Sequence, residues 1–136
     1  MGAGLLVNID VDDLEKAVAF YRDAFDLEIG RRFGDKAAEM LGSSAPIYLL
    51  EKPAGSPTFT AGRQTRDYGR HWTPVHLDFV VPDIRHAIGK AQAAGARIES
   101  DIRAEAWGHI ALLSDPFGNG FCLIEFVGRG YDEIAR

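Results

Sequence analysis

Displaced by seventy positions, this chain repeats itself, and a tandem repeat of one supersecondary unit restricts the possible folds more than any other feature of the sequence. In the first copy Leu5, Val7, Ile9 and Val11 alternate with Leu6, Asn8 and Asp10, the period of a strand with one buried face. Asp12 and Glu15 have capping-box spacing with the aspartate as N-cap acceptor, and Leu14, Ala17, Val18, Tyr21 and Phe25 then recur at helical intervals. Strands are expected next at 28–33, 37–41 and 46–51. In the second copy Leu77, Phe79 and Val81 take the buried parity, while His76, Asp78 and Val80 take the other face. Asp83 stands where Asp13 stood, and Ile84, Ala87 and Ile88 match Leu14, Ala17 and Val18. Gly95 is placed to stop the second helix in a left-handed conformation. Strands follow at 96–103, 107–114 and 120–127, with a turn at Asp115-Pro116-Phe117-Gly118-Asn119-Gly120.

The 136 residues suit a single α+β domain, divided into a first module at about 1–52, a connection at 53–72, a second module at about 73–127 and a tail at 128–136. A net charge of −5 argues against nucleic acid or an anionic membrane as partner, because both call for a basic face. No apolar run approaches the ~20 residues that cross a bilayer, and the N-terminus lacks a signal-peptide pattern. With Cys122 the one cysteine, no intrachain disulfide can form, and a reducing cytoplasm is the expected setting. The connection, carrying Pro53, Gly55, Pro57, Gly62 and Gly69, is long for a compact domain; it is either a binding lid or a mobile crossover.

Several pieces in this order and spacing resemble the vicinal oxygen chelate superfamily, the glyoxalase/bleomycin resistance/dioxygenase type. They are Val11-Asp12-Asp13-Leu14, Ala19-Phe20-Tyr21, the stretch from His76 to Asp83, Glu105-Ala106-Trp107-Gly108 and the Asp-Pro-Phe-Gly-Asn turn. The resemblance implies two tandem βαβββ modules forming a cup-shaped mixed sheet with helices outside. The halves of such a cup come from one chain or from two chains of a homodimer, and a homodimer is the expected partner state. Isomerases, dioxygenases, transferases and drug-binding proteins all share this fold, so it does not name an activity.

Metal-using members of the superfamily place one ligand on a cup-facing strand position four times over. Projected from the helix starts and the glycine turn, those positions fall on Leu6, Tyr48, His76 and Cys122, with Leu50 or Glu51 in place of Tyr48 if the register shifts. Leucine cannot ligate, neutral tyrosine ligates poorly, and one histidine with one cysteine does not make a catalytic zinc site. We therefore expect no metal centre and no cofactor. Asp10, Asp78, His71, His109 and Glu105 are the residues from which a relocated centre could be built, with Asn8 and Asp78 in equivalent positions. His76 and Asp78 are also the candidates for a metal-free base and its orienting carboxylate, although ~7 Å separates Cα atoms two apart on a strand.

Without a metal the cup becomes an apolar pocket with polar handles. Strand parity nominates Leu6, Asn8, Tyr48, His76, Asp78, Cys122 and Ile124 as its lining. Phe59, His71, Trp72, Trp107 and His109 supply aromatic walls or a lid suited to flat ligands, or else pack at the sheet ends. Arg63, Arg66 and Arg70 in the connection either receive an anionic group or are solvated. The leading expectation is a protein that binds a small aromatic molecule, as in drug sequestration. The alternatives are a metal-dependent lyase, isomerase or dioxygenase of the glyoxalase type, and a metal-free acid–base enzyme using His76 and Asp78.

Overall fold

The computed structural model describes residues 2–136, and these divide into two compact units, up to residue 69 and from residue 70 to 136. The first contains β1 (Val7–Val11), α1 (Leu14–Phe25), β2 (Glu28–Arg32), β3 (Ala37–Leu41) and β4 (Ile47–Glu51). Its sheet has the order β1-β4-β3-β2, with β1 parallel to β4 and the remaining pairs antiparallel. Ala38, Met40, Ile47 and Leu49 are buried, as are Leu14, Ala17, Val18, Phe20, Tyr21 and Ala24 on α1. The alternate residues of the strands lie on the opposite sheet face, where Asn8, Tyr48 and Glu39 form one cross-strand row.

The second unit repeats the plan with β5 (Leu77–Val80), α2 (Ile84–Ala94), β6 (Arg97–Ile98), β7 (Arg103–Glu105), β8 (Gly108–Ser114) and β9 (Gly120–Phe126). The order is β5-β9-β8-β6, with β7 also pairing β8, and β5 runs parallel to β9. Where the sequence suggested one strand over 96–103, the ladder is interrupted. The Ser100 hydroxyl accepts from the Leu112 amide at 2.9 Å, while the amides of Glu99 and Ser100 both donate to the Leu112 carbonyl. The chain thus leaves β8 after Ile98 and rejoins it at Arg103.

Both helices start in the same way. Asp13 accepts from the Lys16 amide at 3.1 Å and Asp83 from the His86 amide at 3.1 Å. The first helical amide of each is met by a glutamate at or near the end of the module's last strand: Leu14 donates to Glu51 at 3.0 Å, Ile84 to Glu125 at 2.9 Å. The N-cap of α1 is therefore Asp13, not Asp12, and Glu15 does not reach back to close a capping box; it pairs with Arg32 at 2.9 and 3.0 Å. Gly95 ends α2 at φ 120°, a conformation that favours glycine. The first strand begins at Val7, leaving Leu5 and Leu6 exposed before it.

The connection has structure of its own. Pro57 and Thr65 form a β-bridge, and the Arg66 guanidinium donates to Asp10 at 2.7 Å, to Ser56 Oγ at 3.2 Å and to the Pro57 carbonyl at 2.5 Å. Arg66 thereby fastens the segment to β1. Among the described residues no helix is long and apolar enough to cross a membrane.

Candidate functional site

The helix-free face of the second sheet carries a cluster of donor atoms. Asp78 and Cys122 are directly opposed in the parallel β5–β9 ladder, and Leu112 continues their row on β8. His76 precedes β5 with the same parity as Asp78. Its Nε2 lies 3.2 Å from Asp78 Oδ1, so the two groups that strand spacing alone leaves side by side do meet. One ligand atom from each of His76, Asp78 and Cys122 lies within 4.8 Å of the others. His76 and Asp78 are exposed, whereas Cys122 is buried.

Burial, then the charge of Asp78 and the hydrogen bond to it, push the Cys122 thiol up to about 11. Arg103, on β7, acts the other way and does not prevail. Cys122 is thus a protonated thiol at neutral pH, and without a cation to hold its anion it is a poor nucleophile. Asp78 is the acceptor that His76 and Cys122 share.

The equivalent face of the first module is occupied differently. Glu39, 5% exposed, receives the Arg31 guanidinium in a fork at 3.1 and 2.6 Å, the Arg31 amide at 3.0 Å and the Tyr48 hydroxyl at 2.8 Å. These bonds, the Arg31 side chain's first, hold the Glu39 carboxyl down to about 2, and the carboxylate raises Tyr48 in turn. Arg31 also lies over the Phe33 ring, 5.5 Å from its centroid. The Tyr48 hydroxyl and the Arg31 guanidinium are thus both turned to Glu39. Neither Glu39 nor Arg31 is among the residues nominated from sequence. Glu39 had a signal, being the one charged residue in the strand Ala-Ala-Glu-Met-Leu; Arg31 had none, because a register shift between Ile29 and Arg32 sets its direction.

The remaining nominated residues separate. Asn8 pairs with Tyr48 in register, so the projected position is Tyr48 rather than Leu50 or Glu51, and Glu51 serves α1 instead. Leu6 is 59% exposed, and Ile124, on the Cys122 face, is 2% exposed. His109 pairs with Glu125, at 3.2 Å from Nδ1 to Oε2, on the side of the sheet that anchors α2. Trp107 packs with Phe126 and Tyr131, its ring 6.1 and 5.2 Å from theirs. His71 Nε2 bonds Asn119 at 3.0 Å, and Glu105 pairs with Arg103 at 2.6 Å. Phe59 covers Gly62 yet remains exposed, and Trp72 is 81% exposed. Of the loop arginines, Arg66 is committed to Asp10 and Arg70 to Glu99 at 2.7 Å.

Neither first-module position projected for the superfamily's metal centre carries a ready ligand. Leu6 has no lone pair, and the Tyr48 hydroxyl donates to Glu39. The donors that come together belong to the second module, and they include Asp78, which none of the four projected positions covers.

Comparison with known proteins follows the same lines. A family described as a glyoxalase-like domain matches residues 6–124. Curated sequences yield no match. Among solved structures, the genomically encoded fosfomycin resistance protein FosX from Listeria monocytogenes is 19% identical with a TM-score of 0.73, covering 99% of this chain and 100% of that one. A glyoxalase/bleomycin resistance protein/dioxygenase family enzyme from Burkholderia phytofirmans PsJN is 18% identical with a TM-score of 0.67, covering 90% and 97%. Lactoylglutathione lyase from Agrobacterium tumefaciens is 20% identical with a TM-score of 0.63, covering 92% and 94%. At these identities the likeness is one of fold.

Proposed function

This chain belongs to the glyoxalase-like domain family, and from that premise we propose that it binds a small aromatic or conjugated molecule, in the manner of a drug-sequestering relative, without the four-ligand metal centre of the metal-using members. The observation that carries this reading is the row Asn8–Tyr48–Glu39. There the Tyr48 hydroxyl, at a position projected for a ligand, donates to Glu39, which also holds Arg31. Trp72, left 81% exposed near His76 in sequence, supplies surface for a flat ligand within the second unit. His76 and Asp78 supply polar handles for its heteroatoms.

Titration with a panel of aromatic and polycyclic antibiotics, followed by tryptophan emission, tests the proposal. Exposed Trp72 reports the ligand, while Trp107 sits in its own aromatic cluster, so Trp72→Phe should remove most of the response. No compound binding below millimolar would refute it. The homodimer expected from the resemblance is checked on the same sample by light scattering.

The 3.2 Å contact between His76 and Asp78 favours a second reading, a metal-free acid–base enzyme in which Asp78 orients the imidazole. It requires a pH-dependent turnover that His76→Ala abolishes while ligand affinity survives. Parallel loss of both would leave His76 as a binding group only.

A further inference from the structure

We infer that His76, Asp78 and Cys122 form a cation site contained within the second module alone, suited to zinc or another borderline-soft divalent ion, with a fourth position open to an oxygen of solvent or ligand. The inference goes beyond the small-molecule reading and stands without it. It also differs from a centre assembled from equivalent positions of both modules, since Asp78 supplies a donor from a position outside that set.

The argument starts from the sheet. Parallel pairing fixes Asp78 opposite Cys122, and the strand period puts His76 on the same face one step before Asp78. Neither rigid placement needs a metal to create it. A tetrahedral zinc ion holds nitrogen and oxygen at about 2.0–2.2 Å and sulfur at about 2.3 Å, which sets its ligand atoms roughly 3.3–3.8 Å from one another. His76 Nε2 and Asp78 Oδ1 stand 3.2 Å apart, and all three atoms fall within 4.8 Å. Small side-chain rotations of two exposed residues therefore close the set around an ion.

The donor types narrow the ion. Imidazole nitrogen with thiol sulfur discriminates against magnesium and calcium, which prefer all-oxygen shells. The carboxylate and the thiolate formed on binding bring two negative charges, balancing a divalent cation. The thiol proton is released to solvent as the metal–sulfur bond forms, and no redox partner is needed. Three protein ligands on an exposed face leave the fourth position reachable, the pattern of an open rather than a closed zinc site.

The test uses the full chain, purified without a His-tag and stripped by chelator, then titrated with Co(II) and separately with Zn(II). Uptake of one ion per chain is expected, with thiolate-to-cobalt charge-transfer absorption in the near ultraviolet. Cys122→Ser should abolish that absorption, and His76→Ala and Asp78→Asn should each weaken uptake by about tenfold or more. Both latter residues are exposed, so these two variants carry the test if the buried Cys122→Ser chain fails to fold. Absence of micromolar uptake, uptake without thiolate absorption, uptake indifferent to the substitutions, or one ion per two chains would each overturn the inference. Repeating the aromatic-ligand titration in chelator separates the two readings, because organic binding that persists while cobalt uptake fails removes this one alone.

Discussion

The row of side chains across the helix-free face is Asn8, Tyr48 and Glu39 in the first module and Asp78, Cys122 and Leu112 in the second. The scaffolds beneath are alike. Each has a parallel first and last strand, an aspartate N-cap, and a late glutamate that takes the first helical amide. Above that shared frame the modules diverge. In the first, a buried carboxylate, an arginine and a phenol bond one another. In the second, leucine stands where Glu39 would be, and Asp78 is left with a neutral thiol and a histidine. Duplicated backbone thus conserves how a helix is held while leaving the opposite face free to differ, because helix anchoring and this row use side chains on opposite sides of the sheet.

The turns also differ, and the largest expected effect tests that difference. Asp115, buried, accepts from the amides of Phe117 and Asn119 at 2.8 and 2.9 Å and from the Asn119 side chain at 2.9 Å. Asp115→Ala should cost about 3 kcal/mol in urea unfolding. At the corresponding turn of the first module Ser43 is exposed, and Ser43→Ala should change stability by less than about 0.5 kcal/mol. Equal costs at the two turns would remove the asymmetry.

Next comes the thiol. With Cys122 held at about 11 against an ordinary 9.0, its thiolate fraction at neutral pH is about a hundredfold reduced, and alkylation of metal-free protein should be slow in proportion. Asp78→Asn should speed alkylation, since the carboxylate contributes to the rise; an unchanged rate would mean that burial alone sets it.

The smallest effect concerns acid. A carboxyl at about 2 in the folded chain and about 4.3 unfolded contributes stability that is complete above the unfolded value and is lost as pH falls through the folded one. The melting temperatures of wild type and Glu39→Gln should therefore converge as pH drops from about 4.3 towards about 2. Curves that stay parallel over this window would show that the Arg31–Glu39 fork adds nothing to stability.

Much of this was readable in advance. Alternation at Val7, Ile9 and Val11, helical spacing from Leu14 to Phe25 and the aspartate-glycine turn are local signals, each confined to a few consecutive residues. The α+β class and the internal repeat followed from them. Local reading failed where two acceptors competed for one amide: Asp12 and Asp13 both precede the helix, and only the backbone conformation at Asp13 selects it. It failed again at 96–103, where the Ser100 hydroxyl replaces a ladder bond.

What the chain order determined by itself was therefore the set of elements and the face on which each residue of a regular strand lies, because hydrophobic period and capping chemistry act over a single turn or a single strand. Tertiary structure decided which residues meet. The contact of His76 with Asp78, the closeness of Cys122 to both, and the fork of Arg31 on Glu39 depend on strand register and on a bulge between Ile29 and Arg32. Register is a property of two strands distant in sequence, so no single stretch of the chain encodes it.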